Sequence, residues 1–159
     1  MTRLILALAI LAILLTSCAP VERQVAFIES EYIPFRGDGD SRIVGQAFLR
    51  TRGGEVKLAA GLAVVLTPVT SYSAEWFSHE VLRHGYLTPG DRREQAYIRV
   101  RTGDGEGRFK FTGIPAGRYY VTCEIHWELP DETYDGGTAY AVVDVGPGET
   151  QEIVVTRHP

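Results

Sequence analysis

The chain has 159 residues, which is the length of one domain, and its formal net charge is −4 at pH 7. This acidic balance excludes a general affinity for nucleic acid, so we expect no nucleic-acid partner. The chain contains two cysteines, Cys18 and Cys123, which allow at most one intramolecular disulfide.

The first residues have the pattern of an export signal. Arg3 precedes an apolar run from Leu4 to Leu15, which is too short to span a bilayer, since spanning takes about 20 apolar residues. Residues 1–17 are therefore predicted to be a signal peptide. The run ends in Leu15-Thr16-Ser17-Cys18, which resembles the lipobox of bacterial lipoproteins.

The lipobox resemblance implies that Cys18 carries acyl chains, which would be the membrane anchor. Ala19 follows, where an aspartate would resemble an inner-membrane retention signal, so the outer membrane is favoured. We expect a lipoprotein of the bacterial cell envelope that faces the periplasm or the cell surface. Cys123 is then left without an intramolecular disulfide partner.

After the signal, residues 18–41 are predicted as a lipidated tether, part of which is apolar enough to dock on the domain. Residues 42–159 are predicted as one β domain. Turn signals separate runs of strand-forming residues. The predicted strands are 42–50, 62–69, 96–102, 108–112, 118–128, 138–145 and 150–156. Seven short strands without βα alternation predict an all-β, seven-stranded antiparallel sandwich.

The strand at 118–128 alternates most clearly. One face is apolar and predicted to be core: Tyr119, Val121, Cys123, Ile125 and Trp127. The other face is predicted to meet solvent: Tyr120, Thr122, Glu124, His126 and Glu128. In the strand at 96–102, Arg99 and Arg101 alternate with apolar residues, and we expect both arginines to point outward.

A further pattern is made up of three stretches in chain order: GLAVVLTPV, TGDGEGRFKFTGIPAGRYYVTCE and VVDVGPGETQEIVV. They contain a Gly107-Arg108-Phe109 turn into a strand, an apolar-Pro-x-Gly-x-Tyr corner at 114–119, and a final strand after the turn at 146–149. This pattern resembles the carboxypeptidase regulatory-like domain, a transthyretin-like (prealbumin-like) β-sandwich. The resemblance implies a Greek-key sandwich that is itself not catalytic.

The family framework does not account for the insertion at 71–95. The insertion lacks the alternation of apolar and polar residues that is typical of strands. Ser73 is predicted to cap a short helix that runs to His84 and ends at Gly85. Aromatic and arginine side chains dominate the binding energy of protein interfaces. The insertion contains several, which are the predicted partner-binding residues: Trp76, Phe77, Tyr86, Arg83, Arg92 and Arg93.

The predicted function is a non-catalytic, lipid-anchored envelope protein that binds or scaffolds an envelope protein or a glycan. Two alternatives stay open. The first is a carbohydrate-binding module, whose aromatic side chains stack on sugar rings. The second is a small metal-dependent hydrolase that uses the insertion. The chain has no Gly-x-Ser-x-Gly nucleophile elbow, so serine hydrolase chemistry has no anchor. We predict no catalytic residue and no cofactor.

Residue types that bind metals are present, but their spacing is poor. His79 and His84 are five positions apart and do not share a helix face well. His126 lacks the cysteine pair of a deaminase-type zinc site. The acidic turns that contain Asp38, Asp40, Asp104 and Glu106 lack the ligand spacing of a calcium loop. We therefore predict no metal site.

Overall fold

In the computed structural model, residues 20–157 are described, and they form two β-sheets packed face to face. The eight strands of this range are β1 (Ser41–Arg50), β2 (Val56–Leu58), β3 (Ala63–Pro68), β4 (Arg99–Thr102), β5 (Arg108–Ile114), β6 (Gly117–Glu128), β7 (Tyr134–Val145) and β8 (Thr150–Val155). The signal peptide and Cys18 lie outside the described residues. The predicted all-β sandwich with a short helical insertion is confirmed.

The first sheet is built around β1, which pairs antiparallel with β2 and β5 and parallel with β8. The second sheet has the order β4-β3-β6-β7, and all its pairs are antiparallel. The two sheets meet where Tyr140 of β7 bridges to Thr156, just after β8. The strand that the sequence did not predict is β2, which at three residues is too short to show alternation.

The core between the sheets comes from alternate residues of both. Tyr119, Val121, Cys123 and Ile125 of β6 are buried, as the alternation predicts, and Trp127 is half-buried at the core edge. The first sheet contributes the large side chains Ile43, Phe109, Phe111 and Ile114. Burial raises the pKa of the Cys123 thiol to about 11, so this thiol is a poor nucleophile at neutral pH.

The turn before β5 requires a glycine, and the corner between β5 and β6 is held by a tyrosine. Gly107 has a φ of 70°, and a Cβ there would lie 2.7 Å from the carbonyl oxygen of Ala47. At the far end of β5, the Tyr119 hydroxyl donates to the carbonyl of Pro115 at 2.8 Å. The residues of this stretch are thus explained by folding alone.

The prediction that Arg99 and Arg101 point outward is wrong. Both lie opposite buried residues of β3, on the core side of the second sheet. Arg99 donates to the carbonyl of Gly113 at 3.0 Å, and the Arg101 guanidinium stands 6.0 Å from the Phe111 ring centroid. Because β4 is an edge strand, these long side chains cover the open edge of the core while their charges stay at its rim.

The segment at 20–40, predicted as a tether, packs against the insertion. Its helical turn α1 (Glu29–Tyr32) continues into a 3₁₀ turn (Ile33–Phe35). Tyr32 is fully buried; its ring stacks on Phe27 at 4.7 Å, and its hydroxyl donates to Glu94 at 3.0 Å and accepts from Thr70 at 2.9 Å. Burial raises the pKa values of Tyr32 and Glu94. Residues 20–40 and 71–95 therefore form one packed region, which we call the insertion unit.

The insertion begins with helix α2 (Ser71–Trp76), continues in a π-helical turn (Phe77–Val81) and ends in a 3₁₀ turn (Arg92–Ala96). The predicted Ser73 cap is wrong, because Thr70 caps the helix. Thr70 Oγ1 accepts from the Ser73 backbone at 3.1 Å, and Ser73 Oγ accepts from the Thr70 backbone at 2.9 Å. The helical segment that begins at Ser71 ends at Val81, before the predicted His84. None of the helices within residues 20–157 is long and apolar enough to span a bilayer.

Candidate functional site

An aromatic layer joins the insertion to the outer face of the second sheet. Phe77 is 7% exposed, and its ring stacks on Tyr120 with 4.0 Å between centroids and 9° between planes. Tyr140 meets the same ring edge-on at 5.4 Å, and Trp76 meets Tyr120 at 6.5 Å. Tyr120 and Thr122 are consequently buried, which corrects the prediction that this face of β6 meets solvent throughout.

A groove lies between the insertion and this sheet face. It consists of two cavities, of about 330 and 450 Å³, which share Trp76, Glu80 and Glu124 in their walls. The first is completed by the loop at 84–86 and by residues of β6 and β7. The second is completed by Arg23, by the segment at 87–95 and by β3. A concave surface with an aromatic wall and a few polar groups is the usual form of a small-molecule site.

The orientation of Trp76 is fixed by Glu80, four residues later in the helical segment. The indole Nε1 donates to Glu80 Oε2 at 3.0 Å, while Oε1 accepts from the backbone nitrogen of Leu87 at 3.1 Å. Both carboxylate oxygens are thus used to hold the groove in shape. The half-buried indole keeps part of its surface in the groove.

The sheet supplies polar side chains to the first cavity. Glu124 Oε2 lies 3.3 Å from Nε2 of His126, and the hydroxyl of Thr138 on β7 donates to Glu124 Oε1. Glu124 and His126 are exposed on the outer face of β6. This side of the groove therefore offers a carboxylate, an imidazole and a hydroxyl, all of which can hydrogen-bond to a polar ligand.

Arg23 contributes to the second cavity from the N-terminal segment. Its guanidinium lies 4.4 Å from the Tyr72 ring centroid and 3.9 Å from Glu75, and the side chain is 13% exposed. Among the described residues, its buried Nη1 has no hydrogen-bond partner. Asp91 lies in the same wall, and its pairing with Arg93 at 2.7 Å helps to lower its pKa to about 2. One guanidinium and the ionised carboxylate of Asp91 thus line this cavity.

Two of the six predicted partner-binding residues lie in the groove. Trp76 lines both cavities, and Tyr86, which is 72% exposed, lines the first. Phe77 lies beneath the groove, where its buried ring packs against the sheet.

The three arginines of that prediction are placed elsewhere. Arg93 lies over the Phe27 ring at 4.6 Å and helps to hold the N-terminal segment. In the described part of the chain, Arg83 and Arg92 are exposed and line neither cavity.

Several groove residues were not predicted as site residues. Alternation correctly placed Glu124 and His126 on the outer face of β6, but it contained no sign that the insertion folds over that face. Arg23 belonged to the predicted tether. The signal for its docking was the apolar stretch VAFIESEYIPF, which is more apolar than a free linker requires. Of these residues, only Glu80 could have been identified as a groove residue from the sequence, because it follows Trp76 by four positions and would lie beside it on a helix.

Residues 20–157 contain no group of three or more His, Cys, Asp or Glu side chains arranged to hold a metal ion. The acidic turns use their carboxylates on backbone groups. Asp104 accepts from the backbone nitrogens of Glu106 and Arg108, each at 2.9 Å, and Asp40 accepts from that of Gly148 at 2.9 Å. Asp104 therefore closes its own turn, and Asp40 holds the turn between β7 and β8.

No family model matches the chain, and no curated protein matches it. The resemblance to the carboxypeptidase regulatory-like domain thus stays a prediction. Among solved structures, the chain is similar to a "putative carbohydrate binding protein" from Pseudomonas aeruginosa, with 30% sequence identity and a TM-score of 0.72. That match covers 84% of this chain and 99% of the other.

A second similarity is much weaker. The chain aligns with two structures of BcpA, the major pilin subunit of Bacillus cereus, at 12% identity. The TM-scores are 0.41 and 0.40, and the matches cover 75% and 76% of this chain and 30% and 31% of the pilin chains. A likeness at this level carries no argument about function.

Proposed function

We propose that this chain, which belongs to the same family as the Pseudomonas aeruginosa protein, binds carbohydrate in the groove beside Trp76. The observation that carries the proposal is the half-buried indole, oriented by Glu80 and exposed in a groove with polar walls. An aromatic face packs on the apolar face of a sugar ring. Carboxylate and hydroxyl oxygens on either side can bond the hydroxyl groups at its rim. The description of the relative supports the same class of ligand.

The charges of the groove favour neutral sugars or amino sugars. Its walls contain four carboxylates: Glu80, Asp91, Glu94 and Glu124. They contain one arginine, Arg23, and two histidines, His84 and His126. An acidic polysaccharide would meet this excess of negative charge, and like charges brought together in an interface lower the affinity.

Calorimetric titration with three soluble probes tests the proposal. We expect binding of neutral chito-oligosaccharides or of glucosamine oligomers and weaker binding of oligogalacturonate. Trp76→Ala should lower the affinity at least tenfold, because the stacking surface is lost. Trp127→Ala is the matched control, since it removes the other tryptophan, which lies at the core edge. Failure of all three probes to bind, or equal affinities of the two variants, would contradict the proposal.

A hydrolase is the second candidate, because Glu80, Glu124 and His84 line one cavity. Its carboxylates are already engaged: Glu80 bonds the Trp76 indole and the Leu87 backbone, and Glu124 contacts His126 and Thr138. Glu80, whose two oxygens both accept hydrogen bonds that shape the groove, suits a structural role better than proton transfer. Chromatography of a bound oligosaccharide after prolonged incubation separates the two functions, since binding leaves the chain length unchanged and hydrolysis shortens it.

We also propose that the protein is a lipoprotein of the bacterial cell envelope, anchored at Cys18 and facing the periplasm or the cell surface. The support is the lipobox pattern at the end of the apolar run and the alanine at position 19. Cys18→Ala should release the protein from the membrane fraction or block processing of the precursor. Normal processing together with continued membrane association of that variant would overturn the anchor.

A further inference from the structure

The N-terminal segment is fixed to the insertion from its first described residues. The backbone nitrogen of Val21 donates to the Tyr86 carbonyl at 2.8 Å, and that of Thr88 donates to the Val21 carbonyl at 2.9 Å. These bonds form a parallel bridge between Val21 and Leu87. Arg23 strengthens the attachment, because its backbone and Nε both donate to Thr88 at 3.3 Å.

This attachment leaves little chain between the proposed lipid and the insertion. Val21 is three residues beyond Cys18. An extended residue spans at most 3.3–3.6 Å, so the Cα atoms of these two residues are at most about 11 Å apart. Acyl chains on Cys18 would lie in the bilayer. The surface around Val21 and Tyr86 must then lie close to the lipid headgroups.

The side chains on this surface suit a membrane interface. Val21 is 45% exposed and Tyr86 72% exposed. Leu82, Arg83 and His84 are also exposed in the loop that leads to Tyr86. Tyrosine is enriched where apolar and wet regions of a membrane meet, and arginine binds phosphate groups through its planar fork. The loop at 82–86 contains no acidic residue, although the chain as a whole is acidic.

We propose that Val21 and the loop at 82–86 form a membrane-facing surface, which holds the domain against the phospholipid headgroups. The inference rests on the proposed lipid anchor at Cys18. The membrane-facing surface also contributes to the walls of the first cavity. Since His84, Gly85 and Tyr86 are part of those walls, one wall of this cavity would lie beside the headgroup layer. The bound saccharide is then one that reaches the membrane surface.

Nitroxide labels on the lipidated full-length protein test this orientation. The protein is reconstituted in vesicles of phosphatidylethanolamine and phosphatidylglycerol, with one cysteine introduced as Tyr86→Cys or, on the same loop, as Arg83→Cys. Val154→Cys is the control, because Val154 is 54% exposed on the outer face of the first sheet, away from the insertion. Cys18 would be blocked by lipid, and Cys123 is 1% exposed, so labelling is confined to the introduced cysteine.

Labels at positions 86 and 83 should collide several-fold less often with a water-soluble nickel chelate than the label at 154. They should also collide more often with oxygen, which concentrates in the bilayer. Equal accessibility at all three positions, with acyl chains on Cys18 verified by mass spectrometry, would overturn the orientation and leave the anchor intact. A mass that shows no lipid on Cys18 would overturn both.

Discussion

The sandwich core and the insertion unit are held together in different ways. The core is a layer of apolar side chains from alternate strand positions, with Phe111, Ile43 and Val121 fully buried. The insertion unit combines aromatic packing with polar contacts between segments that are distant in sequence. Examples are the Ser71 backbone and hydroxyl donating to Glu31, at 2.6 and 2.9 Å. Apolar alternation thus defines the scaffold, while contacts between distant segments, which no periodicity encodes, shape the insertion unit.

The largest effect should follow a change in the core. Phe111→Ala removes a fully buried ring, and we expect it to lower the free energy of unfolding by about 3–5 kcal/mol. Thr112→Ala, at the exposed neighbouring position of β5, should change it by less than about 0.5 kcal/mol. Chemical denaturation measures both. Similar losses in the two variants would mean that the strand faces are assigned wrongly.

Phe77→Ala should have a smaller effect on the same measurement. Its ring is buried in a layer that has the sheet on one side only, so we expect a loss of about 1.5–3 kcal/mol. The near-ultraviolet circular dichroism of the tyrosines should also change, because Phe77 packs on Tyr120 and Tyr140. A loss as large as that of Phe111→Ala would show that the two regions unfold as one equally packed core.

The sequence predicted the parts of this fold that follow from local periodicity. The alternation from Tyr119 to Trp127 located the core face of β6, and the turn signals located the strands. It did not predict that Arg99 and Arg101 lie on the core side, because the same alternation fits an edge strand whose arginines cover the core. It identified Trp76 and Tyr86 as binding candidates by residue type. It could not bring Trp76, Glu124 and Arg23 to one groove, since that arrangement depends on where three separate segments meet.

A pH-dependent effect is expected within the insertion unit. Desolvation raises the pKa of Glu94, so the folded protein holds this proton more tightly than the unfolded chain does. The stability linked to Glu94 is therefore fully present below the usual carboxyl range and is lost as the pH rises through the folded-state pKa. Glu94→Gln cannot ionise and should remove this loss while the amide oxygen still accepts from Tyr32.

Thermal unfolding between pH 4 and pH 7 measures this effect. At each pH, the melting temperature of the native protein is subtracted from that of Glu94→Gln. This difference should be more positive at pH 7 than at pH 4. Glu152→Gln, on an exposed position of β8, should show no such trend. A difference between Glu94→Gln and the native protein that stays constant with pH would exclude the buried carboxyl as its cause.

The smallest change concerns reactivity rather than stability. With its pKa raised to about 11, Cys123 should have a thiolate fraction about 100-fold below that of an ordinary thiol at neutral pH. Burial slows its reaction further. In the folded Cys18→Ala variant, a colourimetric disulfide reagent should therefore modify Cys123 only at the rate of unfolding. In denaturant, the same reagent should modify Cys123 rapidly. Rapid modification of the native variant would show that β6 is not covered as described.

Fluorescence of single-tryptophan variants tests carbohydrate binding at the groove most directly, because the chain has two tryptophans. In Trp127→Phe, the remaining Trp76 reports on the groove; in Trp76→Phe, the remaining Trp127 reports on the core edge. We predict that titration with the chito-oligosaccharide or glucosamine oligomer that binds in calorimetry shifts the emission of Trp76 in a saturable way and leaves that of Trp127 unchanged. A saturable response of Trp127 alone, or no response of Trp76 at saturating ligand, would contradict binding in this groove.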